Sequence, residues 1–147
     1  GVKQIVFSNG NMELEHLNVL RGVILDHGVR GFEKAHAIFP DPADTRWAAS
    51  LGEEFAGGDS HGGRFETGIL MDLGPEPVRP FEGLAPVGVG LIEEVRGGAR
   101  NFRQCEVEDA YCGDPASASA AEGSKAIETL AQILVTCVTE TWPEIAE

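Results

Sequence analysis

The first forty residues constrain this chain most. Val2–Ser8, with Ile5-Val6-Phe7 at its centre, is a β-branched and aromatic run that suits a short buried strand. Asn9-Gly10-Asn11 then turns the chain. From Met12 the apolar residues Leu14, Leu17, Leu20, Val23 and Ile24 recur at the spacing of one helix face. Asp26-His27-Gly28 offers a stop, with Gly28 suited to a left-handed C-cap. A second strand is expected to end at Ala35-His36-Ala37-Ile38. Strand, helix and strand in this order predict a βαβ unit, with parallel strands and a right-handed crossover, and hence an α/β class.

Turn residues divide the remainder. Phe39-Pro40-Asp41-Pro42 closes the unit and opens an irregular stretch through Trp47, and residues 56–63 (Ala-Gly-Gly-Asp-Ser-His-Gly-Gly) read as a loop. A short helix follows, with Phe65, Ile69, Leu70 and Leu73 on one side and Gly74-Pro75 at its end. The repeated Gly and Pro of residues 74–104 predict short surface strands, and Gly113-Asp114-Pro115 interrupts again. Ser119 and Glu122 have the spacing of a capping box at the start of a last helix, whose stripe is Ile127, Leu130, Ile133, Leu134 and Val138 and whose stop is Pro143. The length, 147 residues, predicts a single domain over 1–147.

Charge narrows the partners. With 24 acidic against 11 basic residues the net charge is −13, which argues against binding a phosphate backbone or an anionic membrane surface. No apolar run approaches the roughly 20 residues of a membrane helix. Cys105, Cys112 and Cys137 are widely spaced, match no zinc motif, and follow no secretory leader pattern, so reduced structural thiols in a cytoplasmic protein are expected. The chain also opens almost directly on its first strand, as expected of a processed subunit or the later portion of a longer polypeptide.

Two segments carry chemistry. Asn9, Asn11 and Glu13 follow the first strand, where open parallel sheets collect ligands. Either they face that crevice, or Asn11 caps the helix and Glu13 complements its dipole. The second segment, Gly58-Asp59-Ser60-His61-Gly62-Gly63-Arg64-Phe65-Glu66-Thr67, delivers an imidazole on a glycine-rich loop and a carboxylate at a helix start. Gly62 and Gly63 leave room for a ligand beside His61, and His61 with Glu66 suits shared proton transfer. The alternative is an exposed loop with a capping acid. Asp59-Ser60-His61 is not read as a serine triad, because triads assemble from separate elements. Trp47, Arg64 and Phe65 are the side chains available to line a pocket, although a lone Trp is more commonly core.

Residues 58–67 resemble the His-Ala-Gly-x-x-Glu-Thr-Ser signature of the creatininase (creatinine amidohydrolase) family, keeping His61, Gly63, Glu66 and Thr67, with Gly62 and Gly68 in place of the usual Ala and Ser. Ile5 to Asn11 is similar to the family strand that ends in Asn-Gly-His, and Gly113 to Gly123 is similar to its Gly-Asp-Pro-x-x-Ala-Thr-x-x-x-Gly segment. The three motifs stand in family order across nearly the whole chain.

The resemblance implies a three-layer α/β/α fold with a mostly parallel sheet, incomplete without an N-terminal partner portion. It also implies a metal-dependent hydrolase of carbon–nitrogen bonds in small cyclic amides or formamides. His61 and Glu66 fall on the family's catalytic His and acid, and Glu66 is also a ligand in some branches. Glu13 falls where creatininase itself has a metal-binding Glu. Asn9 and Gly63 fall on the substrate side, with Trp47 a weaker addition. The metal is Zn, Mn or Fe.

This chain departs from the pattern at two places. Asn11 stands where the family has a histidine ligand, and an amide oxygen is a poor ligand for Zn. The family's earlier Glu-x-His and Asp ligands have no counterpart here. His16 and His27 lie on the helix, and only His36, at a strand end, offers a substitute. The expectation is therefore a hydrolase completed by a second chain carrying the N-terminal half, in a higher oligomer, with the metal held mainly by that partner. The competing expectation is a non-catalytic subunit that scaffolds or regulates an active partner.

Overall fold

The computed structural model describes residues 1–11, 13–30, 35–74 and 78–145. About half of these are helical, and the class is α/β. Two compact units are present, Gly1–Asp44 with Ala131–Glu147, and Thr45–Leu130. Each has its own core.

In the first unit β1 (Gln4–Val6), α1 (Leu14–Arg30) and β2 (His36–Ile38) form the expected βαβ arrangement. The strands are parallel, with Gln4 opposite His36, Ile5 opposite Ala37 and Val6 opposite Ile38. Backbone hydrogen bonds from Phe7 N to Ile38 O (2.9 Å) and from His36 N to Lys3 O (2.7 Å) extend the ladder. Leu17, Ala37, Ile133 and Trp142 make the core. Trp142 Nε1 donates to His36 Nδ1 at 3.0 Å, and the two rings meet edge to face.

Two expectations change here. The first strand is not buried: Val6 is 37% and Phe7 36% exposed, and this sheet has only two strands among the described residues. Helix α1 also continues past Gly28 to Arg30. A glycine costs a helix about 1 kcal/mol relative to alanine but does not forbid it. Met12 and Pro75, read as the opening of α1 and the close of the third helix, lie outside the described residues.

The second unit holds a 3-10 turn (Ala48–Leu51), α2 (Glu53–Gly57), α3 (Arg64–Leu73), α4 (Leu91–Arg96), a second 3-10 turn (Pro115–Ser117) and the first half of α5 (Ala120–Thr141). Its core gathers Leu51, Phe55, Cys105, Val107, Ala126 and the fully enclosed Cys112 and Pro115. Phe55 and Phe65 pack ring on ring at 4.7 Å. Helix α3 ends at Gly74, as its sequence predicts.

Half of the capping box also forms: Ser119 Oγ accepts the Glu122 N–H at 3.3 Å, while Glu122 Oε2 accepts the Ser119 hydroxyl (2.9 Å) in place of its backbone N–H. Pro143 then ends α5 in a 3-10 turn. Glycine lets α3 and α5 meet backbone to backbone, since a Cβ on Gly123 would enter the Gly68 carbonyl. Among the described residues of 74–104 the expected short strands do not form. One antiparallel bridge joins Val87 to Gly113, and residues 91–96 are helical instead. Asp59, far away in sequence, supplies the missing acceptors by taking the N–H groups of Gly90 (3.1 Å) and Leu91 (2.8 Å).

Candidate active site

The His61 loop is built by carboxylates that accept backbone N–H groups. Gly58 ends α2 in the left-handed conformation, and Asp59 ties the loop to the start of α4. Glu66, in the first turn of α3, turns back so that its Oε2 accepts the Gly62 N–H at 2.7 Å. The acid therefore stands beside the residue that follows His61. The His61 carbonyl accepts the Cys112 N–H at 2.7 Å, which joins the loop to the Gly-Asp-Pro segment. The imidazole is exposed, and one face rests on Phe102, with ring centroids 4.6 Å apart and planes tilted by 40°. Phe102 sits in a tight turn anchored by buried Cys105 and Val107, and Glu106 adopts a left-handed φ of 60° there.

The glycines beside His61 serve the protein's own packing. A Cβ at Gly63 would lie 2.6 Å from Glu54 Oε1 and 2.7 Å from the Cys112 carbonyl, while Gly62 has a φ of +63°. Glu54 accepts the N–H groups of Arg64 (3.0 Å), Phe65 (3.0 Å) and Asp114 (2.6 Å). Arg64 in turn forms an ion pair with Glu122. The Glu122 hydrogen bond raises the Arg64 pKa and lowers that of Glu122, both above and below their ordinary values respectively. Burial pushes the Cys112 thiol up.

A cavity of about 530 Å³ lies between the first 3-10 turn, α3 and α5, lined by Leu51, Glu54, Arg64, Phe65, Asp114 and Glu122 among others. Arg64 and Phe65 thus line a pocket, as their sequence position suggests. His61, Glu66 and Trp47 are not among its lining residues. Trp47 is half-buried, with the Arg46 guanidinium 4.0 Å above its ring.

In the other unit, Asn11 Oδ1 accepts the Glu13 N–H at 3.0 Å, an Asx turn just ahead of α1, whose first hydrogen bond is taken by the Glu13 carbonyl. Glu13 is exposed. Asn9 Oδ1 bonds to His16 Nε2 at 3.0 Å. His16, which the sequence places only on the helix, is thus a member of this polar cluster, with its three-residue spacing from Glu13 as the available signal. The Nδ1 of His36 is occupied by Trp142.

These donors do not by themselves suit the divalent metal that the sequence resemblance implies. Asn11 offers an oxygen already used in the turn before α1, and one Glu66 oxygen holds a loop amide. Among the described residues no three His, Cys, Asp or Glu side chains gather closely enough to hold an ion. The side chains described here do not make a metal centre by themselves.

No characterised protein and no solved structure matches the chain at a significant level. The ordered motifs and the loop that joins two of them are nevertheless those of one family: its model, creatininase (creatinine amidohydrolase), matches residues 1–138, and the chain belongs to that family.

Proposed function

We propose that the chain is a subunit of an amidohydrolase that cleaves a carbon–nitrogen bond in a small cyclic amide or formamide. The observation that carries the reading is the corner in which the Glu66 carboxylate holds the loop amide next to an exposed His61, on a chain of the creatinine amidohydrolase family. In the reaction a water oxygen bonds to the carbonyl carbon, the C–N bond breaks, and a water proton passes to the departing nitrogen. His61 carries that proton. Glu66 holds the loop and balances the charge that the imidazole acquires.

A divalent metal (Zn, Mn or Fe) would be held mainly by a partner chain carrying the N-terminal half, with Glu13 as this chain's candidate ligand and Glu66 a separate candidate; bound there it would polarise the carbonyl and activate water. Asn9, Gly63 and Trp47 are the proposed substrate-side residues. The need for a partner is supported by exposed apolar side chains on a two-stranded parallel sheet and its helix, including Val6, Phe7, Val19 and Leu25, since parallel sheets are ordinarily covered on both faces. The full layered fold and a cytoplasmic, hetero-oligomeric setting belong to the same proposal.

A second reading has its own support. The engagement of the Asn11 oxygen in the turn before α1 and the lack of a three-donor cluster among the described residues fit a non-catalytic subunit that scaffolds an active partner. Co-purification followed by assay of the assembled complex separates the two. Under the hydrolase reading His61→Ala lowers amide hydrolysis by about 10²-fold or more, whereas unchanged turnover leaves the scaffold reading.

A further inference from the structure

We propose that Glu54 is the positioning residue of the His61 loop, a role that deepens the hydrolase reading above and rests on it for its catalytic consequence. One carboxylate joins three points of the chain. Glu54 Oε2 accepts the N–H of Arg64 at 3.0 Å and of Asp114 at 2.6 Å, and Oε1 accepts that of Phe65 at 3.0 Å. Arg64 and Phe65 are the first two residues of α3, whose N-cap, Gly63, has no side chain with which to satisfy them. Glu54 does so from the preceding helix, and it clamps the Gly-Asp-Pro segment with the same group.

The surrounding glycines show that space is reserved for this carboxylate. A Cβ at Gly63 would meet Oε1, and one at Gly113 would meet Oε2. His61 and Cys112, joined by their backbone bond, stand three and two residues before the clamped Arg64 and Asp114. The clamp thus sets where the loop presents the imidazole against Phe102. Hydrogen bonds to a charged acceptor are about twice as strong as neutral ones, and their loss leaves the part-buried Phe65 and Asp114 donors unmet.

The test uses the full chain with Glu54→Ala, Glu54→Gln and Glu54→Asp, read by amide hydrogen exchange and by the NMR shifts of the His61 ring protons. In Glu54→Gln the single oxygen turns to the two-donor side and the NH2 faces Phe65. Exchange at Phe65 then accelerates roughly tenfold, while Arg64 and Asp114 stay close to wild type. In Glu54→Ala all three accelerate, and the His61 ring protons lose part of the shift caused by Phe102. Glu54→Asp, one methylene shorter, restores only part of the pattern. If the alanine variant does not fold, the Gln and Asp variants still decide. Unchanged exchange at all three amides, or unchanged His61 shifts where exchange has accelerated, overturns the proposal.

In the assembled hydrolase, Glu54→Gln lowers kcat on the order of tenfold with KM within about twofold, because misplacement of a reacting group costs rate rather than binding. A wild-type complex without hydrolysis removes the hydrolase reading and leaves the exchange result standing. A hydrolytic complex indifferent to Glu54 removes the positioning role alone.

Discussion

Glu66 reaches back over the first turn of α3 to hold the Gly62 N–H at 2.7 Å, so the acid of the family motif is also the tie of the loop that carries its histidine. Structure and proposed chemistry therefore share one side chain, and substitutions can separate them.

Glu66→Gln keeps an oxygen for the Gly62 amide and removes the charge. Stability is expected to change by less than about 1 kcal/mol, while hydrolysis by the assembled complex falls about 10²-fold. Glu66→Ala loses both, with a stability cost of about 1–3 kcal/mol for the unmet amide. Urea unfolding alongside turnover checks the split, and equal stability losses in the two variants would contradict it.

Gly123→Ala places a methyl group against the Gly68 backbone, where no flexible side chain is available to give way. The α3–α5 contact must open, at a cost of about 1–3 kcal/mol. The urea midpoint measures this. Gly10→Ala, where nothing lies within 4 Å of the added carbon, is the matched control.

Burial raises the Cys112 thiol above its ordinary value of 9.0, outweighing the backbone hydrogen bond at His61 that acts the other way. The folded chain holds this proton more tightly than the unfolded one does. Its contribution to stability is therefore fully present below pH 9 and is lost as pH rises through the folded value. Unfolding free energies between pH 7 and pH 10 should show a decline that Cys112→Ala lacks, and native Cys112 should react slowly with thiol reagents.

The Arg64–Glu122 pair is 47% and 43% exposed, so it contributes at most about 1 kcal/mol and weakens with salt. The hydrogen bond from Arg64, aided by Ser119, lowers the Glu122 carboxyl from its ordinary 4.5. That contribution is present above the unfolded value and disappears as pH falls through the lower folded one. Comparing wild type with Glu122→Gln at pH 7 and pH 3, in low and high salt, checks both statements. A difference that survives acid and salt would refute them.

Local patterns in the sequence determined much of this protein. The strand–helix–strand order of the first unit, the third helix with its Gly74 end, and α5 between the Ser119–Glu122 box and Pro143 all rest on interactions within a few residues. Apolar period and capping spacing record such interactions directly. The motif residues His61 and Glu66 were legible for the same reason, being five positions apart on one loop and helix start.

Tertiary structure decided what depends on distant partners. Asp59 makes a helix of residues 91–96 where turn composition predicts strands. Glu54 supplies the cap that Gly63 lacks, Arg64 meets Glu122 across 58 positions, and Phe102 comes to lie on His61. Gly63, read as space for a ligand, is instead space for Glu54, and Gly62 faces Tyr111. Nothing local specifies these pairings: a carboxylate's acceptors and a ring's face are satisfied equally well by many donors and surfaces. Only the folded chain selects which of them arrives.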